Sequence, residues 1–206
     1  MEDVKNFWED AHINNTKLWL TGSGVEEVWG YMNIIDRIEP NLMVLNIGVG
    51  LGVETTELTK KGVIIDVLDI SEAAINRVKN ITRKGYLASS IEELPINEYD
   101  IAVSHLVTQH INDATLADQI KYVVRSLKPD GIFAMQFAFL QDFDYEGKYD
   151  QIQNEDSQRG GGVVRSLDNI KKIVTSNGGQ ITWVSEIRNY DHTPTKWMYV
   201  HIKKIE

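Results

Sequence analysis

The sequence has no cysteine, few prolines and no long apolar run. Without cysteine the chain can form neither a disulfide nor a thiolate metal site. A membrane-spanning helix needs about 18 or more consecutive apolar residues, and no such run is present. Basic residues are outnumbered: 21 Lys and Arg stand against 30 Asp and Glu, a net charge of −9. Nucleic-acid binding needs a basic surface, so we expect no nucleic-acid partner. For the reasons above we also expect no membrane span and no metal ion.

Length and composition are those of one ordinary globular domain. The chain has 206 residues, of which 42% are hydrophobic and 25% are charged, enough to bury a substantial core. Residues 1–5 have neither the basic nor the apolar segment of a signal peptide. We therefore expect a cytoplasmic protein that acts on a small molecule. The sequence leaves the oligomeric state, monomer or homodimer, open.

The most informative stretch is residues 44–55, an apolar run followed by three glycines on alternate positions. Residues 44–47 read as a buried strand, and a helix is expected after the third glycine. Gly48, Gly50 and Gly52 permit a tight turn and allow a ligand to approach the backbone without meeting a Cβ atom. The helix N-terminus adds free N–H groups and a partial positive charge. This stretch therefore predicts a ligand-binding turn.

A second clue is Asp69, which follows the middle glycine by 69 − 50 = 19 residues. It ends the stretch 62–69, which reads as the next buried strand. An acid about 20 residues after a glycine turn, at the tip of the next strand, can bind both hydroxyls of a ribose. This geometry suits any adenosine-bearing cofactor. The alternative is that Asp69 helps to cap a helix that opens at Ser71.

The glycine spacing differs from that of dinucleotide-binding proteins. Their G-x-G-x-x-G pattern would need a glycine where Val53 stands, and the branched side chain of Val53 is expected to block close helix–strand packing. The observed G-x-G-x-G run resembles motif I, (Asp/Glu)-x-G-x-G-x-G, of the class I S-adenosylmethionine (SAM)-dependent methyltransferases. In that family the acid faces the amino group of SAM. Asn46 occupies its position here, so the resemblance implies an uncharged hydrogen-bond acceptor.

Residues 89–95 are similar to a second element of that family, Asp-Ala-x-x-Leu-Pro, whose acid meets the adenine amino group. Aligned on the Leu-Pro pair, the acidic position falls on Ser90 and the apolar one on Ile91. The resemblance implies that the Ser90 hydroxyl accepts from adenine and that Ile91 covers a ring face. Taken alone, the same residues could form a helix capping box.

Two more stretches resemble the family in the same order along the chain. Residues 99–111 are similar to the Asp-x-Val-x-Ser-x-x-Val-x-x-His pattern of small-molecule methyltransferases. The resemblance implies that Ser104, His105 and Leu106 lie near the transferred methyl group and that His110 begins a short helix beside the site. Residues 128–135 match a turn and fifth strand of the family. Four motifs in order are far more specific than any one.

The N-terminal segment reads differently. Residues 1–22 are interpreted as irregular and aromatic, and Ser23 is expected to cap a helix over 25–35. Segments before the first strand often fold over the cofactor in this family, which would place Trp19 and Thr21 against the methionine end of SAM. The alternative is aromatic packing beside the sheet.

The C-terminal third contains an acidic insertion and a predicted hairpin. Residues 138–165 are expected to form a substrate lid; six acids and one lysine lie within 141–156, a charge that would favour a cationic or amine substrate. A solvated loop is the alternative. A helix is expected over 167–174, followed by strands at 181–184 and 197–202. An antiparallel pair of this kind distinguishes methyltransferases from nucleotide-binding dehydrogenases.

Four histidines are candidate bases for methyl transfer. An amine nucleophile needs only to be uncharged, whereas a hydroxyl must lose its proton to a base. His105 is best placed, at the tip of the fourth strand, and His110 follows it; His12 is a further candidate, and His201 is expected to be structural. Each could instead be a packed core residue.

These patterns together predict a three-layer α/β Rossmann-like fold with a mostly parallel sheet of seven strands and a C-terminal antiparallel hairpin. One domain is expected over 1–206, comprising an N-terminal cap (1–43), a cofactor-binding core (44–137), the lid (138–165) and a C-terminal helix and hairpin (166–206). We interpret the chain as a SAM-dependent methyltransferase that acts on an O or N atom of a small molecule, such as a sugar or amine, and releases S-adenosylhomocysteine.

The alternatives are an NAD(P)-binding oxidoreductase and a SAM-binding protein without catalysis. The resemblance assigns catalysis to His105 and His110. It assigns cofactor contacts to Trp19, Thr21, Asn46, Gly48, Gly50, Gly52, Thr55, Asp69, Ile70, Ser90, Ile91, Ser104 and His105.

Overall fold

One mixed sheet forms the middle layer of the molecule. The computed structural model describes residues 2–16, 24–140, 154–189 and 195–205. Within them, seven strands follow the order β3-β2-β1-β4-β5-β8-β6, and a two-residue β7 pairs with β8. Strands β1 to β5 run parallel, whereas β8 runs antiparallel to β5 and to β6. The strands are β1 (Met43–Ile47), β2 (Ile64–Asp69), β3 (Lys84–Leu87), β4 (Tyr99–Ser104), β5 (Leu127–Phe139), β6 (Gly179–Val184), β7 (Arg188–Asn189) and β8 (Lys196–Lys204).

Helices cover both faces of this sheet. Helices α2, α3 and α4 pack on one face, whereas α5 and α7 pack on the other, which confirms the predicted three-layer fold with its antiparallel C-terminal pair. The α-helices are α1 (Glu2–Ile13), α2 (Val25–Tyr31), α3 (Val53–Lys60), α4 (Glu72–Val78), α5 (Asp113–Ser126), α6 (Glu155–Gly160) and α7 (Leu167–Ser176). Short 3-10 helices span Ile35–Arg37, Ala88–Glu93 and Thr108–His110.

The central strand β1 shows why the sequence adopts these layers. Val44 and Leu45 are adjacent and both are fully buried, yet they belong to opposite clusters, because successive strand residues point to opposite faces. Each buried aliphatic side chain contributes roughly 1.5–3 kcal/mol. A strand that is apolar on both faces is therefore stable only between two helical layers.

The N-terminal segment is not irregular, contrary to the interpretation of residues 1–22. Residues 2–13 form α1, and Val4, Trp8 and Ala11 make its buried stripe against Ile70. Their spacing of four and three residues is that of one helical face. The polar residues between these positions obscured this spacing.

The second helix is shorter than the expected 25–35. It ends at Tyr31, and its N-cap is Gly24 rather than Ser23, which lies outside the described residues. The backbone turns at Asn33, which has a φ of 53°, a left-handed conformation that asparagine tolerates. This turn lets the flanking side chains Met32 and Ile34 both be fully buried.

The expected lid over 138–165 is described only in part. Residues 141–153 lie outside the described ranges, while α6 and an extended stretch at 163–165 follow them. Arg165 forms a single β-bridge with Phe139, so the two ends of the insertion meet beside β5. No helix in the described ranges has both the length and the apolar character needed to cross a bilayer.

Candidate functional site: a cleft at the carboxyl ends of β1, β2 and β4

The predicted site residues converge because three neighbouring strands end at the same level. Ile47, the last residue of β1, is paired with Leu68 of β2 and with Ser104 of β4. The glycine turn, Asp69 and His105 therefore leave the sheet side by side. The strand order reverses between β1 and β4, the place where open α/β sheets bind ligands.

The three glycines have different roles in the turn. All have positive φ angles, of 82°, 52° and 78° for Gly48, Gly50 and Gly52. A Cβ atom on Gly48 would lie 2.2 Å from Val107 Cγ2, and one on Gly52 would lie 2.5 Å from Val78 Cγ1. At Gly50 nothing lies within 4 Å of a Cβ position among the described residues. The outer two glycines allow close packing, and the middle one leaves an open face above the backbone.

The expectation for Val53 is therefore wrong. Its side chain is 47% exposed and does not separate the helix from the sheet. Gly52, the N-cap of α3, supplies the close approach instead, because it packs against Val78 of α4. Gly52 thus permits close packing between the start of α3 and the end of α4, whereas the third glycine of the dinucleotide pattern permits close packing of a helix on a strand.

Asp69 is buried and holds the glycine turn. Its Oδ2 accepts hydrogen bonds from Val49 N at 2.6 Å and Gly50 N at 3.4 Å, and its Oδ1 accepts from Ser71 N at 2.9 Å. Burial raises the pKa of Asp69, and the backbone donors oppose that rise. The capping alternative holds for the Ser71 bond, although the Ser71 hydroxyl itself caps α4 by accepting from Ala74 N. Ribose binding by Asp69 stays a prediction.

Asn46 is the acceptor position of motif I and lies fully buried beneath the turn. Its Nδ2 donates to Thr55 Oγ1 at 3.0 Å, which orients the amide. Its Oδ1 has no hydrogen-bond partner within the described part of the chain. An unpaired buried acceptor costs about 1–3 kcal/mol, so this atom favours a ligand that donates a hydrogen bond.

Glu54 was missed by the sequence analysis, although it lies in the first turn of α3 beside the glycine turn. Its Oε1 accepts from the indole Nε1 of the fully buried Trp29 at 2.7 Å. Burial raises the pKa of Glu54 to about 7, and the bond from Trp29 opposes that rise. A carboxyl group that ionises near neutral pH therefore lies next to the cleft.

His105 stands at the end of β4, half-buried, and its carbonyl oxygen lies 4.0 Å from the Cβ position of Gly48. Burial lowers the pKa of His105 to about 4, so the imidazole is neutral at pH 7. Ser104 is fully buried, and its Oγ accepts from Gln119 Nε2 of α5 at 3.5 Å. The hydroxyl is thereby directed towards α5.

The loop after His105 is strained and supported from β5. Leu106 has a φ of 56°, a conformation that a non-glycine side chain adopts at a cost of about 1–3 kcal/mol and that often marks functional sites. Gln136 Oε1 accepts from Leu106 N at 2.9 Å, and the Gln136 carbonyl accepts from Thr108 Oγ1 at 2.8 Å. The sequence analysis did not identify Gln136, because only strand pairing brings it to this loop.

His110 connects three elements above the cleft. Its Nδ1 lies 2.9 Å from the carbonyl oxygen of Gln158 in α6, and its ring lies 4.6 Å from that of Trp8 in α1, edge to face. A Cβ atom on Gly161 would be 2.8 Å from its Cε1. Burial lowers the pKa of His110 to about 4, with the Gln158 bond opposing. These contacts make His110 a packing centre as well as a candidate base.

Arg165 fixes the loop that carries both histidines. It is 1% exposed, and its guanidinium donates to Asp113 Oδ1 at 2.8 Å and to the carbonyl oxygens of Thr108 and Ile111 at 2.7 Å each. An arginine that spans a carboxylate and two carbonyls uses the fork geometry that lysine lacks. No motif pointed to it, since its partners lie more than fifty residues away in sequence.

The remaining predicted contacts stay predictions. Ser90 is half-buried in its 3-10 helix, and Ile91 packs against the core beneath α5. Ile70 packs against α1, whereas Trp19 and Thr21 lie outside the described residues. Among the residues that are described, no group of three His, Cys, Asp or Glu side chains could hold a metal ion.

The chain is similar in sequence and fold to several methyltransferases. Residues 45–135 match the family described as "Methyltransferase domain". Over these residues, which are less than half of the chain, the sequence is similar to methyltransferase domains. An uncharacterised methyltransferase of Synechocystis is 34% identical over 101 residues, 48% of this chain and 48% of that protein. A ubiquinone biosynthesis O-methyltransferase of Rickettsia bellii is 27% identical over 52% of this chain and 45% of its own length.

Solved structures extend the likeness to the whole chain at the level of the fold. Magnesium protoporphyrin IX methyltransferase of Synechocystis, crystallised with S-adenosylhomocysteine, has a TM-score of 0.69 at 15% identity and covers 99% of both chains. The 1,6-didemethyltoxoflavin-N1-methyltransferase of Burkholderia thailandensis has a TM-score of 0.70 at 12% identity, covering 100% of this chain and 89% of its own. The chain spans about half the length of the curated relatives it matches.

Proposed function

We propose that this methyltransferase domain transfers a methyl group from SAM to a nitrogen or oxygen atom of a small molecule. The observation that carries the proposal is the unpaired, buried Oδ1 of Asn46 beneath an open glycine turn whose other border is Asp69. A ligand that fits these three features would have an amino group that donates to Asn46, a linking segment that passes close to the backbone at Gly50, and a ribose diol that donates to Asp69. SAM contains all three groups in that order.

Three residues of the turn each leave a position at which SAM could bind: a hydrogen-bond acceptor, a space beside the backbone or a carboxylate oxygen. Asn46 Oδ1 has no donor among the described residues, and none of their atoms lies within 4 Å of a Cβ position on Gly50. Asp69 uses three acceptor positions on backbone amides, and a carboxylate offers about four. One position therefore stays available to a hydroxyl donor. The antiparallel strand β8 between β5 and β6 also argues against an oxidoreductase, since the dinucleotide-binding sheet is built from two βαβαβ halves whose strands run parallel.

The reaction is an in-line displacement at an electrophilic methyl group, which bound SAM would supply from its sulfonium. What the chain can contribute is position and exclusion of water. Neutral His105, held at the end of β4, would accept a hydrogen bond from an N–H or O–H group of the acceptor. His110 and Arg165 keep that loop in place through their contacts with α1, α6 and α5.

The state of the two histidines favours nitrogen as the methyl acceptor. Burial lowers the pKa of both His105 and His110 to about 4, and an imidazole with that pKa is too weak a base to ionise an ordinary alcohol. An uncharged amine attacks without prior deprotonation. The acids of the insertion at 138–165 support a cationic or amine compound as well.

Calorimetric titration of the purified protein with S-adenosylhomocysteine, with NADH in parallel, tests the cofactor. We expect micromolar binding of the first and none of the second. Gly50→Val should abolish binding because its side chain would fill the open face. Gly178→Val is the matched control: Gly178 also has a positive φ and open surroundings but follows α7, away from the cleft. Binding of NADH alone would overturn the proposal.

Transfer of isotopically labelled methyl from SAM to panels of small amines and hydroxyl compounds tests the acceptor. We expect product with amines at pH 8, where a larger fraction of each amine is uncharged. Product with hydroxyl compounds alone would contradict the assignment of nitrogen. Cofactor binding without transfer to any acceptor would instead support a SAM-binding protein without catalysis.

A further inference from the structure

Helix α1, which packs against Ile70 at the end of β2, contains a buried polar atom that no described residue uses. His12 is 7% exposed, and its Nδ1 is buried with no hydrogen-bond partner in the described part of the chain. Ile70, which directly follows Asp69, packs against the buried face of α1, and the charges of His12 and Asp69 interact. A buried, unsatisfied ring nitrogen beside a carboxylate needs a polar partner to offset its desolvation.

The position of His12 is fixed from both sides of the cleft. On one side, Glu9 Oε1 accepts from Ala73 N at the start of α4 at 3.1 Å, and Arg77 Nη2 donates to the His12 carbonyl at 2.9 Å. On the other side, the ring of Trp8 contacts His110. These contacts span α4 and the loop after β4, so α1 covers the cleft between them.

Counting acceptors shows what His12 can add. Asp69 already accepts three backbone hydrogen bonds and has about one acceptor position left. A ribose presents two hydroxyl donors, so a second acceptor is needed. A neutral imidazole with its proton on Nε2 provides one at Nδ1. Burial, the largest influence on His12, lowers its pKa and thereby favours the neutral form, while the charge of Asp69 opposes that shift.

We propose that His12 is a ribose-binding residue, and that its Nδ1 accepts a hydrogen bond from one hydroxyl of the SAM ribose while Asp69 accepts from the other. This rests on the proposed function, because it concerns the same cofactor. The ribose would then bridge α1 to the end of β2.

The experiment compares two ligands on two variants. The ratio of the dissociation constants for the 2′,3′-dideoxy analogue and S-adenosylhomocysteine reports the hydroxyl contacts alone. His12→Phe retains a ring against Trp8 but has no acceptor, and it should lower this ratio roughly fivefold, the effect of one hydrogen bond. His12→Asn, with its amide oxygen near the Nδ1 position, should largely retain the ratio.

His201→Phe is the matched control. His201 is also buried, but its Nε2 pairs with the Met32 carbonyl on the other side of β5, so the ratio should not change. A second measurement needs no variant: the ¹⁵N shift of His12 Nδ1 should move on addition of S-adenosylhomocysteine and not on addition of the dideoxy analogue.

The outcomes separate the two proposals. Binding of S-adenosylhomocysteine to the wild-type protein with an unchanged ratio in His12→Phe, or an unmoved ¹⁵N shift, would overturn the role of His12 and leave the proposed function standing. No binding to the wild-type protein would overturn both.

Discussion

At the scale of single residues, the departure of Asn46 from the family's acid determines the electrostatics of the site. The amide lies where the (Asp/Glu)-x-G-x-G-x-G motif has an acid, fully buried and with its oxygen unpaired among the described residues. An amide in this place spares the free protein the cost of an unpaired buried charge, which exceeds that of an unpaired neutral acceptor. The same choice removes the charge that would attract a ligand's ammonium group.

Asn46→Asp should therefore lower the stability of the free protein and raise its affinity for the cofactor. We expect the free energy of unfolding of the free protein to fall by about 1–3 kcal/mol, and S-adenosylhomocysteine to bind about tenfold more tightly through a charge-assisted hydrogen bond. Urea denaturation and calorimetry measure the two quantities. Asn46→Ala is the control, with weaker binding expected; if Asn46→Asp weakens binding as much as Asn46→Ala does, no amino group meets this position.

At the scale of secondary-structure elements, the loop between β4 and α5 depends on a residue from the far side of the insertion. Arg165 joins the carbonyls of Thr108 and Ile111 to Asp113, at the start of α5. The loop also contains the strained Leu106. Because each of these groups is held from outside the loop, the position of His105 is set by packing rather than by local backbone preference.

Arg165→Lys should loosen this loop. Lysine keeps the charge but cannot reach a carboxylate and two carbonyls at once, so we expect a loss of about 2–4 kcal/mol in the free energy of unfolding and faster amide exchange over residues 105–111. Arg159→Lys is the matched control, because Arg159 pairs with the exposed Asp156 on α6. Equal amide exchange over residues 105–111 in the two variants would show that Arg165 does not hold this loop in place.

At the scale of the whole molecule, two buried ionisable groups, His110 and Glu54, change the free energy of unfolding with pH in opposite directions. His110 has a folded pKa lowered to about 4 from 6.5, so its contribution is present above pH 6.5 and is lost as pH falls towards 4. Glu54 has a folded pKa raised to about 7 from 4.5, so its contribution is present below pH 4.5 and is lost as pH rises through 7. The two slopes have opposite signs.

Two substitutions should separate these slopes in urea denaturation at pH 5 and pH 8. The free energy of unfolding of His110→Gln should be lower than that of the wild-type protein at pH 8, and this difference should be about 1–2 kcal/mol smaller at pH 5. On going from pH 5 to pH 8, the free energy of unfolding of Glu54→Gln should rise by about 1–3 kcal/mol relative to that of the wild-type protein. A pH-independent difference for either variant would show that its group ionises with an ordinary pKa in the folded protein.

Much of the fold could be predicted from local patterns alone. Apolar strands, glycines at positive φ and capping residues act over a few neighbours, so β1, its turn, α3 and the strand that ends at Asp69 follow from short windows of sequence. The antiparallel pair at the C-terminus was predicted for the same reason. The class of fold and the edge of the sheet that bears the site were thus determined by the sequence by itself.

Only the tertiary structure decided which side chains meet across that edge. The placement of His12 beside Asp69, of Arg165 under Thr108 and of Gly52 against Val78 depends on how whole helices pack. These partners are separated by 57, 57 and 26 positions (69 − 12, 165 − 108 and 78 − 52). No local preference links residues so far apart, since their contact energy is gained only after both layers have packed on the sheet.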